Sequence, residues 1–293
     1  MKKTSLWTAL ITPMKNDGSV HFPDLEKLAK RQEEAGNGIL LIGSTGEGLA
    51  LEDEEKREIV SKVSEMNLAV PVMAGVGGFN LKNQIEWISY CNDLQIDAFL
   101  LVTPLYSKPG PVGQELWFRE LMDSSKKPCM IYNIPSRTGI ELPLRVVKNL
   151  ESHKNFWAIK ESSGTIHDYK NYRNASNSIE IYSGDDAMLP NFVPLGCDGL
   201  VSVSANVWPE ATRLYVELCM QEKTESLFPL WHRALKAMFT VSNPIPAKVM
   251  LHQKKIIETT TLRPPLTEQE LTRAEDFKEI DTEILNWYNS NKK

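Results

Sequence analysis

Cysteine is scarce in this chain of 293 residues: Cys91, Cys129, Cys197 and Cys219, none in a Cys-x-x-Cys pair. So few and so irregularly spaced, they cannot staple the fold. They read as reduced, mostly buried thiols of a cytoplasmic protein. Histidine is equally sparse. None of the five, His21, His153, His167, His232 and His252, stands in His-x-x-x-His or His-Glu-x-x-His spacing, so nothing argues for zinc. Positive charge is not in excess. Lys+Arg number 33 against 38 Asp+Glu, and the resulting −5 excludes the basic footprint of a general nucleic-acid binder. No apolar run approaches the roughly 18–20 residues that span a bilayer. The opening MKKTSLWTALITPMKNDG has too short an apolar patch and no small-residue cleavage site, so it reads as mature protein rather than a signal peptide. A dinucleotide loop is also missing. Thr12-Pro13-Met14 follows the first apolar run, and Gly75-Val-Gly77-Gly78 lacks G-x-G-x-x-G spacing and reads as a tight turn.

What the chain does have is a repeated alternation. Short apolar runs stand at Leu6–Ile11, Gly38–Ile42, Val70–Ala74, Ala98–Val102, Cys129–Tyr132, Phe156–Ile159, Ile179–Tyr182 and Leu200–Val203; several are rich in β-branched residues, the mark of strands buried on both faces. Amphipathic patterns lie between them, at Phe22–Ala35, Glu52–Val63, Leu81–Leu94 and Val112–Ser124. The runs recur about every 28 residues, one βα unit per step, and eight such units make a (β/α)8 TIM barrel. Residues 1–225 are therefore expected to form the barrel. Residues 226–293, with helical patterns at Leu227–Val241, Pro246–His252 and Thr267–Tyr288, form a C-terminal helical extension; the last opens on a capping-box sequence, Thr267-Glu-Gln-Glu270.

In such a barrel the active site gathers at the C-terminal ends of the strands. Lys160 follows Phe156-Trp157-Ala158-Ile159, so its side chain is expected in the barrel mouth. Desolvation there favours the neutral amine, a nucleophile for carbonyl carbon that gives a Schiff base; pairing with a nearby acid such as Asp185 is the alternative. Tyr132 ends the neighbouring run, about 4.8 Å away, either as a proton carrier or as an aromatic wall. Ser44 and Thr45 lie in a Gly-flanked turn that suits a carboxylate or simply caps a helix. Arg137, on the loop above, suits bidentate carboxylate binding or is a surface residue.

Taken together, Thr8-Ala-Leu-Ile-Thr-Pro13, Gly43-Ser-Thr-Gly-Glu47, Tyr132-Asn-Ile-Pro-Ser-Arg-Thr-Gly139, Ile159-Lys-Glu-Ser-Ser-Gly164, Ser183-Gly-Asp-Asp186, Asn243-Pro-Ile-Pro-Ala-Lys248 and Leu262-Arg-Pro-Pro-Leu266 resemble the pyruvate-dependent class I aldolase family, which contains dihydrodipicolinate synthase and N-acetylneuraminate lyase. The resemblance runs almost the length of the chain. It implies a lyase that needs no metal and no cofactor, in which Lys160 forms the imine with pyruvate. Tyr132, a hydroxyl at Ser44 and Tyr106 would form a proton relay, Tyr106 reaching in from a neighbouring subunit of a homotetramer built as a dimer of dimers. Thr45 and its backbone would hold the pyruvate carboxylate, Arg137 would orient the acceptor, and Gly184 and Val201 would line the pocket through backbone groups. Ser44 departs from the family's more usual threonine: the hydroxyl is kept and the methyl that fixes its rotamer is lost. Sialic-acid lyases usually carry leucine where Arg137 stands. Arginine implies L-aspartate-4-semialdehyde as acceptor, condensed with pyruvate to 4-hydroxy-tetrahydrodipicolinate on the route to lysine and diaminopimelate. The alternatives are an aldolase or lyase of a sugar acid, and a non-catalytic barrel that binds a keto acid.

The resemblance also bears on regulation. Lysine-sensitive bacterial members have His, His, Asn, Glu and Tyr at the positions of Asp53, Lys56, Asn80, Gln84 and Leu105. Only Asn80 is retained, so insensitivity to L-lysine is expected.

Overall fold

The computed structural model describes residues 2–272 and 276–292. Its strands are β1 Leu6–Ala9, β2 Gly38–Leu41, β3 Val72–Val76, β4 Ala98–Val102, β5 Cys129–Asn133, β6 Phe156–Glu161, β7 Glu180–Ser183 and β8 Gly199–Ser202. Each pairs in parallel with the next, and β8 closes on β1 through Leu6↔Leu200, Trp7↔Val201 and Thr8↔Ser202. Helices follow the strands, so this is the (β/α)8 barrel that the spacing predicts.

Strand side chains point alternately to the two faces, which gives the barrel two separate apolar layers. Trp7, Ala9, Leu40, Met73, Leu100, Met130, Ala158, Tyr182 and Val201 pack inside it. Their neighbours, among them Leu6, Ile39, Leu41, Phe99, Ile131 and Ile159, pack outward against the helices. The floor is aromatic: Trp157 lies 6.0 Å from Trp7 and 5.6 Å from Tyr182 between ring centroids. Ala158 is an inward position, so Lys160, two residues on, is inward as well.

Several boundaries differ from expectation for identifiable reasons. The first strand stops at Ala9 instead of Ile11, because the Ile11 amide leaves the ladder and donates to Asn206 Oδ1 at 2.9 Å. The third begins at Val72, after Pro71, which has no N–H to give. The sixth runs on to Glu161, because Tyr132↔Lys160 and Asn133↔Glu161 continue the ladder. In the C-terminal region the helices are Leu230–Met238, Ile245–Gln253 and Phe277–Asn291. The single helix expected over Thr267–Tyr288 is instead a 3₁₀ turn at Glu268–Glu270, whose cap Thr267 accepts from Gln269, followed by the last helix; residues 273–275 lie outside the described residues. Trp231 meets Trp287 edge-on at 5.3 Å, and Trp208 Nε1 donates to Asp281 Oδ1 at 2.8 Å, fixing these helices to the barrel's outer face. All four cysteines are buried and unbridged. No helix among the described residues is long and apolar enough to cross a membrane.

Candidate active site

At the C-terminal mouth of the barrel lies a cleft of about 640 Å³, lined among others by Ser44, Thr45, Tyr132, Arg137, Lys160 and Gly184. The β5–β6 register pairs Tyr132 with Lys160, and Lys160 Nζ lies 4.1 Å from the centroid of the Tyr132 ring. Both side chains are buried, at 5% and 6% exposure. Burial lowers the Lys160 pKa to about 7; the Asp186 carboxylate opposes that shift and the Arg137 guanidinium adds to it. The neutral amine is therefore far more accessible near neutral pH than that of an ordinary lysine. The alternative partner, Asp185, accepts instead from the Ala187 amide at 2.9 Å, and Lys160 forms no ion pair among the described residues. Tyr132 is pushed up to about 12 by burial, so it stays a phenol and a proton donor at physiological pH.

Gly184 has a steric reason to be glycine. A Cβ there would lie 2.7 Å from Lys160 Cε and would collide with Ser162 Oγ. Its amide donates to Glu161 O at 2.8 Å, which ties the turn after β7 to the end of β6. Thr45 is buried, and its Oγ1 accepts from Asn243 Nδ2 at 2.8 Å. Arg137 is exposed, with Nη2 donating to the Asn243 carbonyl at 3.2 Å. Ser44 is exposed to the cleft and also lines an adjoining cavity of about 310 Å³.

Two expected residues are not among those lining this cleft. The Val201 side chain packs in the barrel interior, where its strand pairs it with Trp7; from this strand end the cleft is bordered by Val203. Strand alternation ends at Ser202: Val203 has helical backbone geometry and packs with the outer layer while bordering the cleft. Tyr106 is 88% exposed and stands outside its own chain's cleft, with φ of +61° in the left-handed region that a tyrosine rarely adopts.

Other groups of the site went unnoticed as site residues. Asp186, wholly buried, accepts from the hydroxyls of Ser202 and Ser204 at 2.5 Å each and from the Val203 amide at 3.0 Å, so its charge near Lys160 is hydrogen-bonded throughout. Glu47 forms a buried ion pair with Lys248 at 2.5 Å and accepts from the Arg263 amide at 3.0 Å. Asn243 and Lys248 both occur in the Asn243-Pro-Ile-Pro-Ala-Lys248 segment, but only the fold brings it to Thr45 and Glu47.

The model of the dihydrodipicolinate synthetase family matches residues 2–283. The chain belongs to that family. A 4-hydroxy-tetrahydrodipicolinate synthase of Wolbachia pipientis subsp. Culex pipiens is 44% identical over 288 residues, 98% of each chain. Another, of Francisella tularensis subsp. novicida, is 45% identical over 284 residues, 97% of this chain and 96% of that one. The crystal structure of a chloride-inhibited dihydrodipicolinate synthase from Acinetobacter baumannii, complexed with pyruvate, superposes with a TM-score of 0.88 at 32% identity, covering 97% of this chain and 98% of that one. The strand-end lysine, the neighbouring tyrosine and the hydroxyl-bearing turn of this chain thus belong to a family whose members include a pyruvate complex.

Proposed function

We propose that this chain is a lyase of the Schiff-base aldolase type that condenses pyruvate with L-aspartate-4-semialdehyde to 4-hydroxy-tetrahydrodipicolinate. The observation that carries the reading is Lys160, a dried amine with a lowered pKa against Tyr132, in a cleft also lined by Thr45 and Arg137. The curated relatives named above bear that activity's name over almost their whole length.

The chemistry follows from those groups. Neutral Lys160 Nζ adds to the keto carbon of pyruvate, forming a C–N bond. Tyr132, with the hydroxyls of Ser44 and Tyr106, carries the protons by which the carbinol oxygen leaves as water. The resulting iminium acidifies the pyruvate methyl group. Loss of a methyl proton gives an enamine, whose carbon attacks the aldehyde of the acceptor while the aldehyde oxygen takes up a proton. The acceptor's own amine then attacks the imine carbon, closes the ring and releases Lys160. Thr45 holds the pyruvate carboxylate and Arg137 the acceptor carboxylate, the latter with a planar fork matched to two oxygens. Arg137 is what favours this acceptor over a sugar acid.

Tyr106 enters this scheme from a second subunit. Its own cleft does not hold it, and exposed Leu49, Phe79, Val112 and Leu116 offer apolar surface for assembly. A homotetramer built as a dimer of dimers supplies that neighbour. Four buried, unbridged thiols suit a reducing cytoplasm.

The test offers the protein pyruvate alone, pyruvate with L-aspartate-4-semialdehyde, and N-acetylneuraminate, following product in each. Product is expected only with the semialdehyde. Cleavage of N-acetylneuraminate at a comparable rate would transfer the chain to the sugar-acid reading. Borohydride with pyruvate should leave an adduct on the peptide containing Lys160 and none on Lys160→Ala. An adduct on a different lysine would sink the mechanism.

A further inference from the structure

The Ser44-Thr45 turn is held from outside the barrel. Asn243, 198 residues later in the chain, donates its side-chain Nδ2 to Thr45 Oγ1 at 2.8 Å. Its main-chain carbonyl accepts from Arg137 Nη2 at 3.2 Å. The residue is 8% exposed, its Oδ1 is buried and without a hydrogen-bond partner, and it lines the same cleft as Thr45, Arg137 and Lys160. Among the described residues Thr45 is the only hydrogen-bond partner of this side chain.

A hydroxyl carries one hydrogen and two lone pairs. An amide N–H pointed at Thr45 Oγ1 occupies a lone pair and keeps the hydroxyl's own hydrogen from pointing back along that line. The Thr45 hydroxyl donates to no acceptor among the described residues, so its hydrogen is left for whatever fills the cleft. An asparagine amide that donates here therefore fixes more than the position of the threonine. It fixes the direction of the bond, making Thr45 a donor toward an anion, as a carboxylate requires.

We propose that Asn243 is a positioning residue: its amide orients the Thr45 hydroxyl as the donor to the substrate carboxylate, while its main-chain carbonyl tethers Arg137. The proposal rests on the assignment of Thr45 to the pyruvate carboxylate made above. It also separates the two substrates. Truncating the Asn243 side chain removes the contact to Thr45 and leaves the carbonyl that holds Arg137, so the pyruvate half of the reaction suffers more than the acceptor half.

Borohydride trapping of the full-length protein at graded pyruvate concentration tests it. Asn243→Ala should raise half-saturating pyruvate about tenfold, the loss of roughly one hydrogen bond to a charged group, with full trapping at saturation and a smaller change in the acceptor KM. Thr45→Val should do the same, and the double variant should be no worse than roughly twofold beyond either single one, because both remove the same contact. Asn243→Asp keeps the size but can only accept, taking the Thr45 hydrogen for itself; it should bind pyruvate at least as poorly as Asn243→Ala. A merely structural role would instead place Asp nearer the unaltered protein. If Asn243→Ala does not fold, Asn243→Asp in the same cycle decides. Half-saturation within about twofold of the unaltered protein, or effects that multiply fully in the double variant, would overturn the proposal while leaving the function intact. Absence of any adduct on the unaltered chain would overturn the function first.

Discussion

Lys160 and Tyr132 face each other in register across β6 and β5, the amine nitrogen 4.1 Å from the ring centroid, with both side chains almost wholly buried. The same burial drives their pKa values apart, the amine down to about 7 and the phenol up to about 12. Near neutrality the pair therefore offers a nucleophile without its proton beside an acid that keeps its own, which imine formation needs. The mouth of a barrel, narrow and aromatic below, supplies the dryness.

The first prediction concerns pH. The rate of pyruvate adduct formation should climb as pH rises through about 7 and flatten above it, because the neutral amine is the reactive form. Stability should show the reverse side of that arrangement. A base whose folded pKa lies below its unfolded value costs stability in full below the folded pKa, and the cost fades as pH rises toward 10.5. Lys160→Met should thus be more stable than the unaltered protein at pH 7, by on the order of a few kcal/mol, with the gain shrinking toward pH 10. Denaturant titrations at several pH values check this; a gain that grows with pH would contradict it.

Arg137→Ala should weaken the acceptor step more than pyruvate trapping, which it touches only through the smaller contribution of its charge to lowering the Lys160 pKa. Loss of a hydrogen bond between charged groups costs roughly 1.5–3 kcal/mol, or about 10- to 150-fold in kcat/KM for the semialdehyde. Equal damage to pyruvate trapping would show that Arg137 holds the wrong substrate in this scheme. Steady-state kinetics beside single-turnover trapping separates the two.

The ion pair between Glu47 and Lys248 is sealed, with side chains 1% and 0% exposed. Burial lowers the Lys248 pKa while Glu47 opposes the shift. Glu47 is also in the left-handed region, at φ of +54°, so the chain after the Ser44-Thr45 turn depends on that pair to stay in an unfavourable backbone state. Lys248→Met alone should cost roughly 3–5 kcal/mol, because it leaves a buried charge without its partner. Glu47→Gln combined with Lys248→Met should recover much of that loss. Chemical denaturation of the single and double variants decides, and a double variant as weak as the single one would mean that shape rather than charge holds the turn.

The barrel was legible because period-2 runs recur at even spacing, and alternation alone puts Ala158 and Lys160 on the inner face. Boundaries were less so. The end of β1 depends on Asn206, far along the chain, capturing the Ile11 amide, and no local signal announces it. The end of β8 was also hidden: Val201 packs inside the barrel, whereas Val203, one residue past the strand, has left strand geometry and borders the cleft. Thr45 and Arg137 could be singled out from their loops, but the asparagine that joins them comes from the C-terminal region. The candidate residues at the strand ends were thus readable locally, whereas the contacts that hold the Ser44-Thr45 turn join positions some 200 residues apart.

The last prediction is that L-lysine does not inhibit at low concentration. Beside the cleft, and sharing Ser44 and Tyr132 with it, lies the cavity of about 310 Å³ whose wall includes Asp53, Lys56, Gln84 and Leu105. Asn80, the retained position, spends its side chain on capping the next helix, accepting from the Asn83 amide at 3.2 Å. Lys56 is paired with Asp53 at 2.9 Å, so the repulsion expected from its charge is partly cancelled, and so is the attraction of that carboxylate. Glu86, also on the wall, lies 3.9 Å from Lys82. What disfavours a bound lysine is therefore Gln84, a neutral amide in place of a carboxylate, and Leu105, which lacks a phenol to reach the ligand. Two losses of about 1 kcal/mol or more would weaken an ammonium ligand roughly thirtyfold. A steady-state assay at saturating pyruvate should show unchanged turnover at about 1 mM L-lysine, the millimolar end of the affinity scale. Half-inhibition below that concentration would mean that Asp53 and Glu86 rebuild the cation site that Gln84 gives up.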